Sequence, residues 1–161
     1  MIVFYNILIF FFGVGARIAS FFHPKARAFV TGRKDVFKRL EAAFNNQSSR
    51  VVWIHCASLG EFEQGRPLIE LLKQEFPRIK ILLTFFSPSG YEVRKNYNLA
   101  DHVCYLPMDT AANARRLVSI VKPSLGVFVK YEYWFHYTNV LKSNNIPILS
   151  ISSIFRKNQL F

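Results

Sequence analysis

Cysteine is scarce in this chain. Only Cys56 and Cys104 are present, without CxxC spacing and each inside an apolar, strand-like run. The reading is a reduced, cytosolic protein with buried thiols rather than a disulfide framework. The four histidines (His23, His55, His102 and His136) show no zinc-ligand spacing, which argues against a metal. A GxGxxG fingerprint is missing too, so a dinucleotide has no visible seat and no cofactor is expected. Acid is in short supply: 10 Asp and Glu stand against 21 Lys and Arg, a formal charge of +11. That balance favours anionic partners such as phosphates, nucleic acid or an anionic membrane surface. Internal repeats and low-complexity tracts are also lacking.

What is present begins with an apolar block, residues 1–22, in which Arg17 is the one charged side chain. A spanning helix needs about 20 such residues, and an arginine near the end can snorkel to the headgroups. The following stretch carries Lys25, Arg27, Arg33, Lys34, Lys38 and Arg39 against the single acid Asp35. By the positive-inside rule this flank is cytoplasmic. No basic side chain precedes the apolar run, unlike a cleaved signal peptide. The expectation is an uncleaved anchor at residues 1–22, spanning or dipping into one leaflet, on the cytoplasmic face of the cell's inner membrane. A basic, membrane-proximal helical segment follows at 23–50, with a helix over 33–45 whose Val36, Phe37, Leu40 and Phe44 share a side.

From residue 51 the pattern alternates. Short continuous apolar runs predict strands at 51–56, 79–84, 102–106, 125–129 and 147–151, with helices at 61–75, 89–97, 110–121 and 132–144. Such runs suit a parallel sheet buried on both faces, and β-α repetition predicts a doubly wound, Rossmann-like α/β domain over 51–161. With no helix after the last strand, the expectation is one half of a two-domain protein.

Chemistry is sought at the carboxyl ends of the strands, where open α/β sheets bind ligands. After the first strand, Ser58-Leu59-Gly60-Glu61 puts a carboxylate at a helix start. The helix dipole and free N–H groups there favour the ionised form that a general base needs, and Gly60 permits close approach of a ligand. Ser87-Pro88-Ser89-Gly90 follows the second strand and offers hydroxyls to an anion or sugar, or is an ordinary capped turn. Asp109, after the third, reads as the N-cap of the helix from Thr110. Lys130-Tyr131-Glu132-Tyr133-Trp134 follows the fourth: Glu132 orients a substrate hydroxyl or pairs with Lys130, and Tyr133 and Trp134 stack on a sugar or pack. Convergence at one edge is harder to dismiss than any one motif.

Taken in order, Trp53–Glu61, Arg66–Ile69, Thr84–Gly90, Tyr105–Asp109 and Glu132–Trp134 resemble the 3-deoxy-D-manno-octulosonic acid (Kdo) transferases of lipopolysaccharide synthesis. The resemblance implies a GT-B fold, two Rossmann-like domains facing a cleft. This chain would be the N-terminal, acceptor-binding half, and a C-terminal domain would hold the CMP-Kdo donor. It implies Glu61 as the catalytic base acting on a lipid A precursor, without a metal; the candidate substrate-binding positions are Ser58, Gly60, Ser87, Ser89, Gly90, Lys130 and Glu132. The chain departs from the family's pattern where Lys130 replaces the first of two glutamates around the Trp motif. Ser87 and Ser89 stand in a Thr-rich turn, and Ser152-Ser153-Ile154, with Arg156 beyond, replaces an Asn-Ala-Arg. Two other readings are another membrane-associated GT-B sugar transferase and a non-catalytic module binding anionic lipid. A nucleic-acid partner is not expected, because the aromatics cluster in the anchor and strands instead of interleaving with the basic residues.

Overall fold

The computed structural model describes residues 2–45 and 48–154. An apolar helix, α1 (Ile2–Ala19), leads into two short helices, α2 (Pro24–Thr31) and α3 (Val36–Phe44). Strands and helices then alternate: β1 (Val51–Cys56), α4 (Leu59–Glu75), β2 (Lys80–Phe85), α5 (Pro88–Arg94), β3 (His102–Tyr105), α6 (Ala111–Val121), β4 (Leu125–Val129), α7 (Phe135–Ser143) and β5 (Ile148–Ile151). The strands form one sheet in the order β3-β2-β1-β4-β5, parallel at every pairing. The expected doubly wound α/β fold is present, and each predicted strand lies within a residue of its place.

Alternation in β1 explains why the sheet is covered on both faces. Val51 and Trp53 join Leu40, Phe44, Leu82, Leu117, Phe128 and Tyr137 on one side. Val52, Ile54 and Cys56 join Phe62, Ile69, Ile81 and Leu83 on the other. Trp53 packs edge-on to both Phe128 and Tyr137, with ring centroids 5.3 Å away in each case. Helix α3 contributes Val36, Leu40 and Phe44, buried at the spacing expected of one helical face. Each such side chain stabilises the fold by about 1.5–3 kcal/mol. Both cysteines are buried, reduced thiols, and burial pushes the Cys104 thiol up to about 12.

One expectation about the basic segment needs correction. Residues 33–45 are not one helix, because Asp35 takes a left-handed φ of 53° at the N-cap of α3. Arg33 is largely buried, and its guanidinium donates to the carbonyls of Leu106 (2.9 Å), Phe29 (2.9 Å) and Phe86 (2.8 Å). Its charge lies 3.6 Å from the centre of the Phe29 ring. Burial lowers its pKa to about 10, still charged at neutral pH. Arg33 thus ties the chain leaving β2 to the chain leaving β3, both at the carboxyl edge of the sheet.

Candidate active site

β1 has β2 on one side and β4 on the other, so the chain order reverses between β1 and β4. Ligands of doubly wound sheets lie at that switch point, beyond the strand ends. The segments leaving β1 and β4 carry Ser58-Leu59-Gly60-Glu61 and Lys130 to Trp134.

Glu61 occupies the first turn of α4. Ser58 is the N-cap, extended at φ −140° and ψ 174°, yet its hydroxyl makes no cap hydrogen bond. The Glu61 carboxylate instead turns back and accepts from the backbone N–H of Ala57. Nothing lies within 4 Å of the place where a side chain on Gly60 would begin, and its φ is not positive. The glycine therefore serves neither backbone nor packing, and the space over it, next to Glu61 in the chain, is open. Gly90 differs, since a Cβ there would fall 2.3 Å from the Phe85 ring, so packing alone accounts for it.

The helix start was expected to hold Glu61 as an easily ionised acid. The structure reverses the direction. Loss of water around the half-buried carboxyl is the largest influence and raises its pKa, and the nearby Glu132 charge raises it further. The Ala57 N–H, His55 and Lys130 pull it down by less. Desolvation outweighs a screened helix-end charge, and a raised pKa makes a stronger base.

Glu132 does not pair with Lys130; no such ion pair occurs among the described residues. Its Oε2 lies 3.6 Å from Nε2 of the buried His55, a salt bridge only when the imidazole is protonated. Nε2 also accepts from Nε1 of Trp134 at 3.1 Å. Because an indole can only donate, Nδ1 carries the proton in this arrangement and donates to Oγ1 of Thr84 at 2.9 Å. Thr84 accepts in addition from Nε1 of Trp53 at 2.8 Å. A buried chain of polar contacts thus runs from the middle of the sheet to its edge and orients Trp134. With its Nε1–H engaged and its ring centroid 4.7 Å from that of Phe86, Trp134 packs within the protein. Tyr131 and Tyr133 are the exposed aromatics of the segment.

Lys130 has a left-handed φ of 62°. Its N–H donates to Ile151 O at 2.8 Å, and its carbonyl accepts from Ser150 (3.0 Å) and Ser153 (2.7 Å). The segment after β4 is thereby pinned to the end of β5. Arg156 lies outside the described residues. Ser87 is the N-cap of α5: its Oγ accepts from Ser89 N–H at 3.3 Å and lies 3.1 Å from Ser89 Oγ. Ser87 N–H donates to Ala57 O at 2.7 Å, so this turn braces the Glu61 turn. Asp109 is misassigned by local sequence. Thr110 caps α6, whereas the buried Asp109 accepts from His136 N (3.1 Å) and Tyr137 N (3.2 Å) at the start of α7, and from Tyr5 of α1.

Sequence reasoning also missed His55 and Thr84. They are register partners on adjacent strands, and a polar pair at matching positions in otherwise apolar strands was the available signal.

A five-stranded parallel sheet flanked by helices and preceded by an apolar helix is the architecture of the N-terminal domain of GT-B glycosyltransferases. The chain belongs to the 3-deoxy-D-manno-octulosonic-acid transferase (kdotransferase) family, whose N-terminal glycosyltransferase profile matches residues 34–160. It is similar to the 3-deoxy-D-manno-octulosonic acid transferase of Haemophilus influenzae, with 32% identity over 99 residues, 61% of this chain and 23% of that protein. The protein of the same name from Aquifex aeolicus is 33% identical over 103 residues, 61% of this chain and 28% of that one. A bifunctional glycosyltransferase/methyltransferase of Fusobacterium nucleatum is 29% identical over 119 residues, 71% of this chain and 18% of that one. The alignments thus span a quarter or so of the length of these relatives.

Proposed function

We propose that this chain is the acceptor-binding domain of an inverting transferase that moves Kdo from CMP-Kdo to a lipid A precursor, with Glu61 as general base. One observation carries the reading: a half-buried carboxylate of raised pKa, next in the chain to the open space over Gly60, at the β1/β4 switch point. Glu61 takes the proton of an acceptor hydroxyl. The freed oxygen attacks the anomeric carbon of Kdo as the bond from that carbon to the CMP phosphate oxygen breaks, and CMP leaves with the electron pair. Inversion follows from a single displacement without a covalent enzyme intermediate. Lys130, close enough to lower the Glu61 pKa, supplies positive charge for the acceptor's phosphates or the leaving group, and Glu132 receives a substrate hydroxyl. Ser58, whose hydroxyl is not used in capping, is a second contact for the acceptor. The donor is held across the cleft by a second domain, which accords with the greater length of the relatives.

Residues 1–22 serve in this reading as the membrane anchor, 23–50 as the membrane-proximal segment and 51–161 as the acceptor domain, on the cytoplasmic face of the inner membrane. α1 is long and apolar enough to meet a bilayer. The test is transfer from CMP-Kdo to a lipid A precursor by the complete protein, wild type beside Glu61→Gln. Transfer lost in the variant with acceptor binding kept is the expected result. Absence of transfer by the wild type redirects the search to other sugar donors, and equal rates remove Glu61 from the base role.

A further inference from the structure

Helix α1 has the length and composition of a membrane span, but its contacts do not suit a helix that stands upright in a bilayer. At its start, Tyr5 donates to Asp109 and Asn6 Oδ1 lies 2.7 Å from Nε2 of His136. In its middle, Phe12 stacks on Phe86 with centroids 6.0 Å apart and meets Phe29 edge-on at 5.8 Å. Between Asn6 and Arg17 the helix lines a groove whose other wall is Met108, after β3, and Asn113 of α6. The partly covered residues are Tyr5, Ile9, Gly13, Val14, Ala16, Ala19 and Ser20, all but Val14 on one stripe of a 3.6-residue helix. On the opposite stripe Val3, Ile7, Phe11 and Ile18 are exposed. Phe29 belongs to α2, and the other partners each follow the carboxyl end of a strand: Phe86 after β2, Asp109 after β3, His136 after β4.

We infer that α1 lies in the plane of the membrane surface, with its exposed stripe inserted into one leaflet and its other stripe clasped across the carboxyl edge of the sheet. A helix held by the domain at Tyr5, Asn6 and Phe12 cannot leave it to cross about 30 Å of hydrocarbon. Charge names the occupant of the free stripe. Just past α1, Phe21 and Phe22 are 77% and 76% exposed, and the exposed Lys25, Arg27, Lys34 and Lys38 follow with Asp35 as their only nearby acid. Apolar side chains rimmed by cations fit the headgroup boundary of an anionic bilayer. The arrangement sets the sheet edge that carries Glu61 at the level of the lipid headgroups, whichever sugar is transferred.

The test is depth. Val3→Cys, Phe11→Cys and Ile18→Cys, each in the full chain, are labelled with a polarity-sensitive fluorophore; the buried Cys56 and Cys104 give the blank. The proteins are bound to vesicles of phosphatidylethanolamine and phosphatidylglycerol (3:1) carrying shallow or deep quenchers. An in-plane helix gives one common depth, about 5–10 Å below the headgroup boundary. A gradient of about 22 Å from residue 3 to residue 18, the rise of an upright helix over that length, overturns the inference. So does the absence of quenching at all three positions, which would mean that protein covers the stripe.

Discussion

Two carboxylates stand at the same edge of the sheet and are treated in opposite ways. Asp109 is buried and holds three donors: the Tyr5 hydroxyl and the N–H groups of His136 and Tyr137. Glu61 holds one, the Ala57 N–H, and has open space over Gly60 and a second carboxylate, Glu132, for a neighbour. A saturated carboxylate has little left to offer a substrate. One that is partly desolvated, under-bonded and beside a like charge gains most from taking a proton. The difference separates the group that holds the molecule together from the group proposed to act.

The largest expected effect breaks that comparison at Glu61. Glu61→Gln in the complete protein lowers transfer by about 10²–10⁴-fold, the usual worth of a positioned base, yet does not lower stability. Burial raises the folded carboxyl above its ordinary value of 4.5, so the native state keeps a proton that the unfolded chain releases. Stability therefore falls as pH rises from 4.5 through the folded pKa, and ionised Glu61 costs stability at neutral pH. The neutral amide removes that cost. A midpoint of thermal unfolding equal to or above that of the wild type is expected, and a clear fall would show Glu61 to be structural.

Asp109→Asn should do the reverse. An amide cannot accept from three donors as a carboxylate does, and buried donors left unpaired cost about 1–3 kcal/mol each. A loss of about 2–3 kcal/mol in urea unfolding is expected, with the rate per folded molecule little changed. An unaltered stability would remove the assigned role from Asp109.

How far the sequence foretold this division depends on the distance over which each feature is determined. The strands were legible because a parallel sheet buried on both faces leaves continuous apolar runs, and the Glu61 turn because strand, glycine and acid are adjacent. Asp109 was misread because a cap is sought on the next helix, and Thr110 took that place while Asp109 caps a helix 26 residues further on. Nothing in the sequence sets Arg33 apart from its basic neighbours, because two of its three carbonyl partners, Leu106 and Phe86, are brought to it only by folding. The rise in the Glu61 pKa was hidden for the same reason: helix position is local, whereas desolvation and the approach of Glu132 are not.

A smaller effect sharpens the electrostatic side. Glu132 raises the Glu61 pKa and Lys130 lowers it. Glu132→Gln should therefore move the acid limb of the kcat/KM profile to lower pH, and Lys130→Met should move it to higher pH. Shifts in the same direction for both would mean that the limb reports another group.

The smallest effect tests whether α1 is joined to the domain through the saturated carboxylate. Tyr5→Phe removes one hydroxyl but leaves the ring against Phe135 and His136, with centroids 5.7 and 5.8 Å away, and leaves Asp109 its two backbone donors. A loss of about 1 kcal/mol is expected, since a single hydrogen bond contributes about that much net. Coupling is the sharper readout. In an Asp109→Asn background the same change should cost little, because its partner has already been altered. Equal costs in both backgrounds would show that Tyr5 acts through packing alone, with Asp109 serving only α7.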